Sequence, residues 1–178
     1  MTDNDRILEL LDSVPKGPWH MLPEGASAAQ LDTFPSRTGI QLPPELSSWL
    51  RISNGPCVGR GGLFGVETRR ESRDIYQVLA RHPSWMNKKW IPVASDGCGN
   101  YYAVPTNGEF GPGFPVVFID SIASTDSPAY IVASGVLKFV RFYLEDELRL
   151  TQWPFDREEV VRCDPGILTF SGVKLPWQ

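Results

Sequence analysis

The five residues Asp96-Gly97-Cys98-Gly99-Asn100 bring a carboxylate, a thiol and two glycines together in one short stretch. Such a stretch can supply a nucleophile, or a glycine-rich loop that holds a phosphate. Runs of β-prone residues flank it at 91–94 and 101–104. Glycine and asparagine accept the positive φ that a short loop between antiparallel strands requires. Because no histidine stands near the thiol in sequence, we interpret the stretch as a hairpin turn in which Cys98 is incidental.

Two other groups of residues could take part in catalysis or ligand binding, but their sequence patterns are weaker evidence for a site. The glycine-rich stretch at residues 59–66 lacks the Lys-Ser/Thr of a P-loop and does not lie on a strand-to-helix turn. We predict instead that its glycines mark the start of a strand over residues 61–66. His20 and His82, the two histidines, stand far apart, with no second His or Cys at metal-ligand spacing. Both are predicted to be structural, and we expect neither a metal nor a cofactor.

Adjacent carboxylates occur at Glu145-Asp146-Glu147 and at Glu158-Glu159. Neighbouring residues on a helix point in different directions, so these carboxylates do not form an acid–base pair by themselves. They suit either a solvated helix face or an acidic surface that recognises a basic partner.

The six tryptophans offer a second set of binding candidates. Trp49 is predicted to lie in the core. Trp19, Trp153 and Trp177 lie in irregular, proline-containing segments. There they are expected either to cover the flank of the core or to anchor an interface.

The composition limits the function classes. A net charge of −4 argues against a nucleic-acid binder or a basic membrane-surface protein, since both depend on clustered Lys and Arg. The N-terminus lacks a signal-peptide pattern, and no apolar run approaches the roughly 20 residues of a membrane helix. Three separated cysteines without a C-x-x-C pair indicate reduced thiols. We therefore expect a cytoplasmic protein with no nucleic-acid or membrane partner, folded as one domain over residues 1–178.

The elements that must position these residues follow from hydrophobic periodicity and turn signals. Helices are predicted over residues 3–14, from Pro44 to an end at Asn54-Gly55, and over 73–80, 136–148 and 156–164. Another is predicted to begin at Ser27, and Pro35 should leave it short or kinked before Gly39. Strands are predicted over residues 61–66, 90–94, 101–104, 116–119 and 129–132. Helices, then strands, then helices indicate an α+β fold: a single domain whose mainly antiparallel β-sheet is flanked by N-terminal and C-terminal helices.

Five stretches follow one another in a characteristic order. They are GIQLPPELSSWLRISNG (39–55), LFGV (63–66), WIPVASDGCGNYYAV (90–104), PVVFID (115–120) and ASGVLKFVRFYLEDEL (133–148). Together they resemble the SUKH superfamily, which groups bacterial toxin-immunity proteins with fungal Smi/Knr-type regulators of cell-wall synthesis. The resemblance covers about residues 27–148, and residues 149–178 form a C-terminal extension. Pro35 departs from it, because the family has a continuous helix there.

The resemblance implies proteins that act mainly by binding. Bacterial members are typically encoded beside polymorphic or contact-dependent toxins, often nucleases or deaminases, and neutralise them. The leading hypothesis is therefore a non-enzymatic immunity protein that binds a toxin domain, and a basic, nuclease-like domain would suit the acidic chain. The alternative is a Smi/Knr-type regulatory or scaffolding module in cell-envelope or signalling processes. An enzymatic hypothesis would rest on Cys98 beside Asp96.

No catalytic residue set accompanies the resemblance, so the candidate site is a partner-binding surface. Its members lie in the matching stretches and are predicted to line one face where a helix end meets the sheet: Asn54, Gly55, Phe64, Asp96, Asn100 and Tyr102. Each has an alternative role in a turn or in the core. Asp96, at the rim of the 96–100 loop, either touches a partner or serves only the turn.

Overall fold

The computed structural model describes residues 2–15, 17 and 20–178. At its centre is a four-stranded sheet in the order β1-β2-β3-β4. The strands are β1 at Trp90–Ser95, β2 at Tyr101–Pro105, β3 at Val116–Ile119 and β4 at Tyr130–Ala133. Every neighbouring pair is antiparallel, and most strand residues are buried. The predicted antiparallel sheet is confirmed.

Helices precede and follow this sheet, as predicted for an α+β fold. They are α1 at Asp3–Ser13, α2 at Ala28–Asp32, α3 at Phe34–Thr38, α4 at Pro44–Ile52, α5 at Ile75–Arg81, α6 at Pro83–Lys88, α7 at Val136–Glu147 and α8 at Arg157–Cys163, with 3-10 turns at Glu71–Arg73 and Pro165–Thr169. α1 packs along α7, and α5 and α6 pack against β1. None of the described helices is long and apolar enough to cross a membrane.

The helix that begins after Ser27 is short, which is one of the two outcomes predicted from Pro35. Ser27 and Gln30 form the capping box that opens α2, with the Ser27 amide donating to Gln30 Oε1 at 2.9 Å. α2 then ends, and Pro35 lies in the first turn of α3, where a missing amide hydrogen costs nothing. Gly39 closes α3 with a φ of 70°.

Two local predictions are wrong, and one helix was not predicted. Residues 61–66 do not form a strand, because Gly62 has a φ of 88° and only the isolated bridges Leu63–Ala94 and Gly65–Asp74 remain. α4 ends at Ile52, two residues before Asn54-Gly55, because Ser53 is already extended. Trp85 does lie beyond α5, as predicted, but the sequence did not predict α6, which Pro83 starts directly after α5 and which carries Trp85.

The C-terminal segment packs back onto the core. Trp153, Val160 and Ile167 are buried among core residues, and the Trp153 indole donates to the Val132 carbonyl at 3.1 Å. Trp153 is therefore a core residue and Trp177 is partly buried against the core, while Trp19 lies outside the described residues. Trp49 is buried, as predicted. The division into a core at 27–148 and an extension at 149–178 stays a prediction.

Candidate functional site

The stretch at residues 96–100 is the loop of the β1–β2 hairpin, which confirms its interpretation as a turn. Asp96 Oδ1 accepts from the amides of Cys98 and Asn100 at 2.7 and 3.1 Å. Its Oδ2 accepts from the Asn100 side-chain amide at 2.8 Å. Gly97 and Gly99 take positive φ, as the loop requires. The Asp96 carboxylate thus fastens the loop, and its contact with Cys98 is through the backbone amide.

The hairpin loop is tied to the loop that joins β3 and β4. Asn100 Oδ1 accepts from the Ser121 amide at 3.0 Å. Asp120 in turn accepts from the amides of Ile122 and Ala123 at 3.0 and 3.3 Å. Asp96 and Asp120 therefore lie in loops held to each other by hydrogen bonds, at the same edge of the sheet.

Asn54 holds a second crossing of the chain, at the end of α4. Its side-chain amide donates to the Val66 carbonyl at 2.8 Å, and its Oδ1 accepts from the Val66 amide at 2.8 Å. Gly55 has a φ of 78°, and a Cβ there would stand 2.9 Å from Thr68. Asn54 and Gly55 thus bring residues 54–55 against residues 65–68, which is a structural role.

The six predicted site residues occupy different environments. Phe64 is buried in the core beside Tyr101. Asn54 and Gly55 line a recess of about 360 Å³, the arginine recess, with Met21, Pro23, Glu24, Glu67, Thr68, Arg69, Arg70 and Arg73. Asp96 and Tyr102 line another of about 330 Å³, the tyrosine recess, with Arg60, Tyr143, Asp146, Glu147, Arg149 and Trp153. Asn100 connects the two loops beside the tyrosine recess.

Two tyrosines form the inner part of the tyrosine recess. Tyr143 accepts from the Gly62 amide at 2.8 Å through its hydroxyl. Tyr102 is 8% exposed, and its hydroxyl makes no hydrogen bond with any residue that the structure describes. Burial raises the pKa of both hydroxyls far above the usual range, so both keep their protons at neutral pH. The recess therefore offers a neutral phenol that is able to donate or accept.

Two carboxylates at the end of α7 form the outer part. Partial burial raises the pKa of Asp146. Burial also raises the pKa of Glu147, and the negative charge of Asp146 adds to the rise. Hydrogen bonds from the Arg60 amide and the Tyr143 hydroxyl, together with the positive charge of Arg60, offset part of it. Within the described chain neither carboxylate forms an ion pair.

A row of aromatic rings leads from this recess to the surface. Tyr102, Phe118 and Tyr130 are opposite one another on β2, β3 and β4, so they share one face of the sheet. Successive ring centroids lie 5.3 and 5.0 Å apart, and Phe155 continues the row at 6.1 Å from Tyr130. We call these four residues the aromatic face. Its outermost member, Phe155, is 61% exposed.

Negative charge surrounds the aromatic face. The charges of Asp120 and Asp96 add to the rise that burial causes in the pKa of Tyr130. Asp96 and Asp146 act on Tyr102 in the same direction. Aromatic rings and carboxylates from the β1–β2 loop, the β3–β4 loop and the end of α7 thus converge on one region of the surface.

Sequence reasoning identified Tyr102, Asp96 and the acidic run on α7, but not Phe118, Tyr130 or Phe155. The strands that carry Phe118 and Tyr130 are predictable from their apolar runs. Their register is not, because it depends on pairing between distant segments. Phe155 lies in an irregular segment, and no sequence pattern places it beside Tyr130.

Among the described residues, no three His, Cys, Asp or Glu side chains are grouped so that they could hold a metal ion. His82 stacks on Trp85 with ring centroids 4.3 Å apart, and burial lowers its pKa. His82 therefore has a packing role in this structure.

Comparison with known families gives a match to the SMI1 / KNR4 family (SUKH-1) over residues 25–141. The match covers more than half of the chain, so the chain belongs to this family, and the resemblance seen in the sequence is confirmed. No curated protein matches the chain. Membership supports a protein of the immunity or Smi/Knr type.

Proposed function

We propose that this SUKH-1 family member is a non-enzymatic immunity protein that acts in the cytoplasm by binding and blocking a toxin domain. The observation that carries the proposal is the aromatic face, whose rings extend from the core to the exposed Phe155 and are bordered by carboxylates. The proposal places the partner on this face.

Supported aromatic rings are suited to be the energetic centre of an interface. Residues that dominate binding are enriched in large aromatics, and they bind best when little conformational freedom is lost. Phe118 and Tyr130 are stacked with an interplanar angle of 14°, and Tyr130 in turn supports the ring of Phe155. A partner that covers Phe155 would therefore dock on a surface that is already ordered.

The surrounding charges favour a basic partner. Asp96, Asp120, Asp146 and Glu147 border the rings, and the chain as a whole carries a net charge of −4. Carboxylates at a rim accelerate association with a positively charged domain and disfavour acidic ones. A basic, nuclease-like toxin domain meets this requirement.

The side chains near this face that could act in catalysis have settings that support binding instead. Asp96 uses both carboxylate oxygens to hold the hairpin loop. Tyr102 and Tyr143 keep their protons because burial raises their pKa. We therefore expect this face to bind a partner domain without catalysing a reaction on it.

The test is complex formation with the product of the gene next to the one that encodes this chain, measured with both purified proteins and by growth of cells that produce that product. We expect Phe155→Ala to weaken the complex at least about tenfold, as for a central aromatic anchor. Its effect on folding should be small because Phe155 is largely exposed.

Leu8→Ala is the matched control, since Leu8 is also an exposed apolar residue but lies on α1. It should leave the complex unchanged. A toxin domain that neither binds the chain nor is neutralised by it would overturn the proposal and favour the Smi/Knr-type regulatory alternative.

A further inference from the structure

We propose that the tyrosine recess binds one arginine side chain of the partner, next to the aromatic face. This inference rests on the proposed function. The recess measures about 330 Å³ and is open to solvent, with room for a guanidinium group and part of its stem. Its lining joins four separate segments of the chain, represented by Arg60, Asp96, Glu147 and Trp153.

The first observation that points to a ligand is the Tyr102 hydroxyl. The Tyr102 ring packs within 5.0 to 6.2 Å of Phe139, Trp153 and Tyr143, measured between centroids, which fixes its position. Its hydroxyl reaches the recess without a hydrogen-bond partner among the described residues. The side chain is more than nine-tenths buried, but solvent reaches its hydroxyl oxygen through the recess. A ligand group that enters the recess would replace that water as the hydrogen-bond partner.

The second observation is the pair of carboxylates at the mouth. Asp146 is exposed and Glu147 is half-buried, and neither has an ion-pair partner in the described chain. Asp96 adds a third negative charge at the edge of the recess. A ligand that complements this site is a cation with several N–H donors.

The walls favour a guanidinium over an ammonium group. Tyr102, Tyr143 and Trp153 line the recess with aromatic rings. A guanidinium is planar, stacks on aromatic faces and sheds water more easily than an ammonium, and it presents five donors in a fixed fork. Arginine therefore matches both the acceptors and the rings, whereas lysine matches only the charges.

Two arginines of the chain itself lie at this recess, and neither forms an ion pair with its carboxylates. Arg60 and Arg149 are exposed and line the rim, and neither forms an ion pair with a carboxylate in the part of the chain that the structure describes. Their charges oppose a cationic ligand at a distance. Removing the charge of Arg60 should therefore tighten binding of a cation.

The experiment titrates the full chain with three capped tripeptides, while NMR follows backbone amide and tyrosine signals. The peptides are acetyl-Gly-Arg-Gly-amide, its lysine counterpart, and its citrulline counterpart, which is neutral but nearly the same shape as arginine. We expect the arginine peptide to shift signals of Tyr102, Glu147 and the 96–100 loop, with affinity on the order of millimolar for a single side chain. The lysine peptide should bind at least about threefold more weakly, and the citrulline peptide should leave these signals unchanged.

Variants locate the binding. Tyr102→Phe and Glu147→Gln should each weaken the arginine peptide at least about threefold, and Arg60→Gln should strengthen it about twofold. Glu158→Gln, an exposed carboxylate on α8, is the matched control and should change nothing. Equal shifts with the citrulline peptide, equal binding of lysine, or shifts outside the recess would each overturn the proposal.

The outcome is distinguishable from that of the proposed function. If the arginine peptide binds in the recess but the toxin domain does not bind the chain, the recess assignment stands and the immunity function fails. If the toxin domain binds but Glu147→Gln and Tyr102→Phe leave its affinity unchanged, the immunity function stands and the recess assignment fails.

Discussion

Glu145 and Glu147 stand two residues apart on α7, and their carboxylates lie in opposite settings. Glu145 is buried, and its Oε1 accepts from Arg6 Nε at 3.0 Å and from Arg141 Nε at 3.2 Å. Asp3 binds Arg141 as well, so the contact between α1 and α7 is a network of paired charges. Glu147 has no such ion-pair partner in the described residues.

Helix geometry explains the contrast. Residues two apart on an α-helix point in nearly opposite directions, so one carboxylate faces α1 and the other faces the tyrosine recess. The two interpretations of the acidic run, a merely solvated helix face or an acidic recognition surface, therefore do not apply to it as a whole. Glu145 serves the fold, and we assign Asp146 and Glu147 to binding.

The contrast also separates stability from function. A desolvated carboxylate without an ion pair destabilises the fold, and such groups are concentrated at functional sites. Removing a buried carboxylate that is paired has the opposite effect: it lowers the free energy of unfolding, because the charge of its partner is left buried and unpaired. Substitutions on the two sides of α7 should therefore change the free energy of unfolding in different directions.

The largest effect is expected at Glu145. Glu145→Gln leaves Arg6 and Arg141 without their shared carboxylate and should lower the free energy of unfolding by about 2 kcal/mol. This is less than for a fully buried pair, since both arginines are partly exposed and Arg141 keeps Asp3. Urea unfolding followed by tryptophan fluorescence measures it. A loss below about 0.5 kcal/mol would mean that Glu145 stabilises the fold no more than an exposed ion pair does.

A smaller effect of opposite sign is expected at Glu147. At pH 7, Glu147→Gln should leave the free energy of unfolding unchanged or raise it by up to about 0.5 kcal/mol, because a partly buried charge disappears while the side chain still accepts hydrogen bonds. The same variant should weaken partner binding. The same urea measurement applies, and a clear loss of stability would mean that Glu147 serves the fold as Glu145 does.

The pH dependence of that difference follows from the raised pKa of Glu147. The folded protein holds the proton of the Glu147 carboxyl more tightly than the unfolded chain does, in which this carboxyl has a pKa near 4.5. Below that pH the wild type and Glu147→Gln should therefore be equally stable. As the pH rises through the folded pKa, the wild type should lose stability relative to the variant. A stability difference that is constant from pH 4 to pH 8 would contradict the assignment of the shift to burial.

The smallest effect is expected at an exposed ion pair. Arg37 Nη1 lies 2.6 Å from Glu67 Oε1, and its guanidinium also stacks 3.6 Å from the centre of the Tyr76 ring. Glu67→Gln removes only the ion pair and should cost less than about 0.5 kcal/mol. The cost should shrink further in high salt, measured by the same unfolding assay. A salt-independent loss near 2 kcal/mol would mean that this exposed pair stabilises the fold as much as the Glu145 network does.

Local chemistry made much of the fold predictable. The 96–100 loop, the capping box at Ser27 and the break at Pro35 each depend on residues close together in sequence. The stretch at 61–66 was mispredicted because its glycines serve close packing: a Cβ at Gly61 would stand 1.7 Å from the Ser95 carbonyl oxygen. That contact joins distant segments and leaves no pattern in sequence.

The candidate site was only partly predictable for the same reason. Tyr102 and Asp96 lie in recognisable family stretches, and the acidic run on α7 is visible as a run. The recess itself requires Arg60 and Trp153, from two further segments, to meet the hairpin and α7, which also carries Tyr143. Likewise, the aromatic face exists because the strand register aligns Tyr102, Phe118 and Tyr130. Neither the packing nor the register follows from periodicity.

Hydrogen–deuterium exchange of the chain, alone and with the product of the neighbouring gene, tests the binding face most directly. We expect slower exchange in the 96–100 loop, the 120–129 loop and residues 149–157, which surround the aromatic face and the tyrosine recess. We expect no change in residues 67–73 of the arginine recess. Protection confined to residues 67–73, with the aromatic face unchanged, would contradict it.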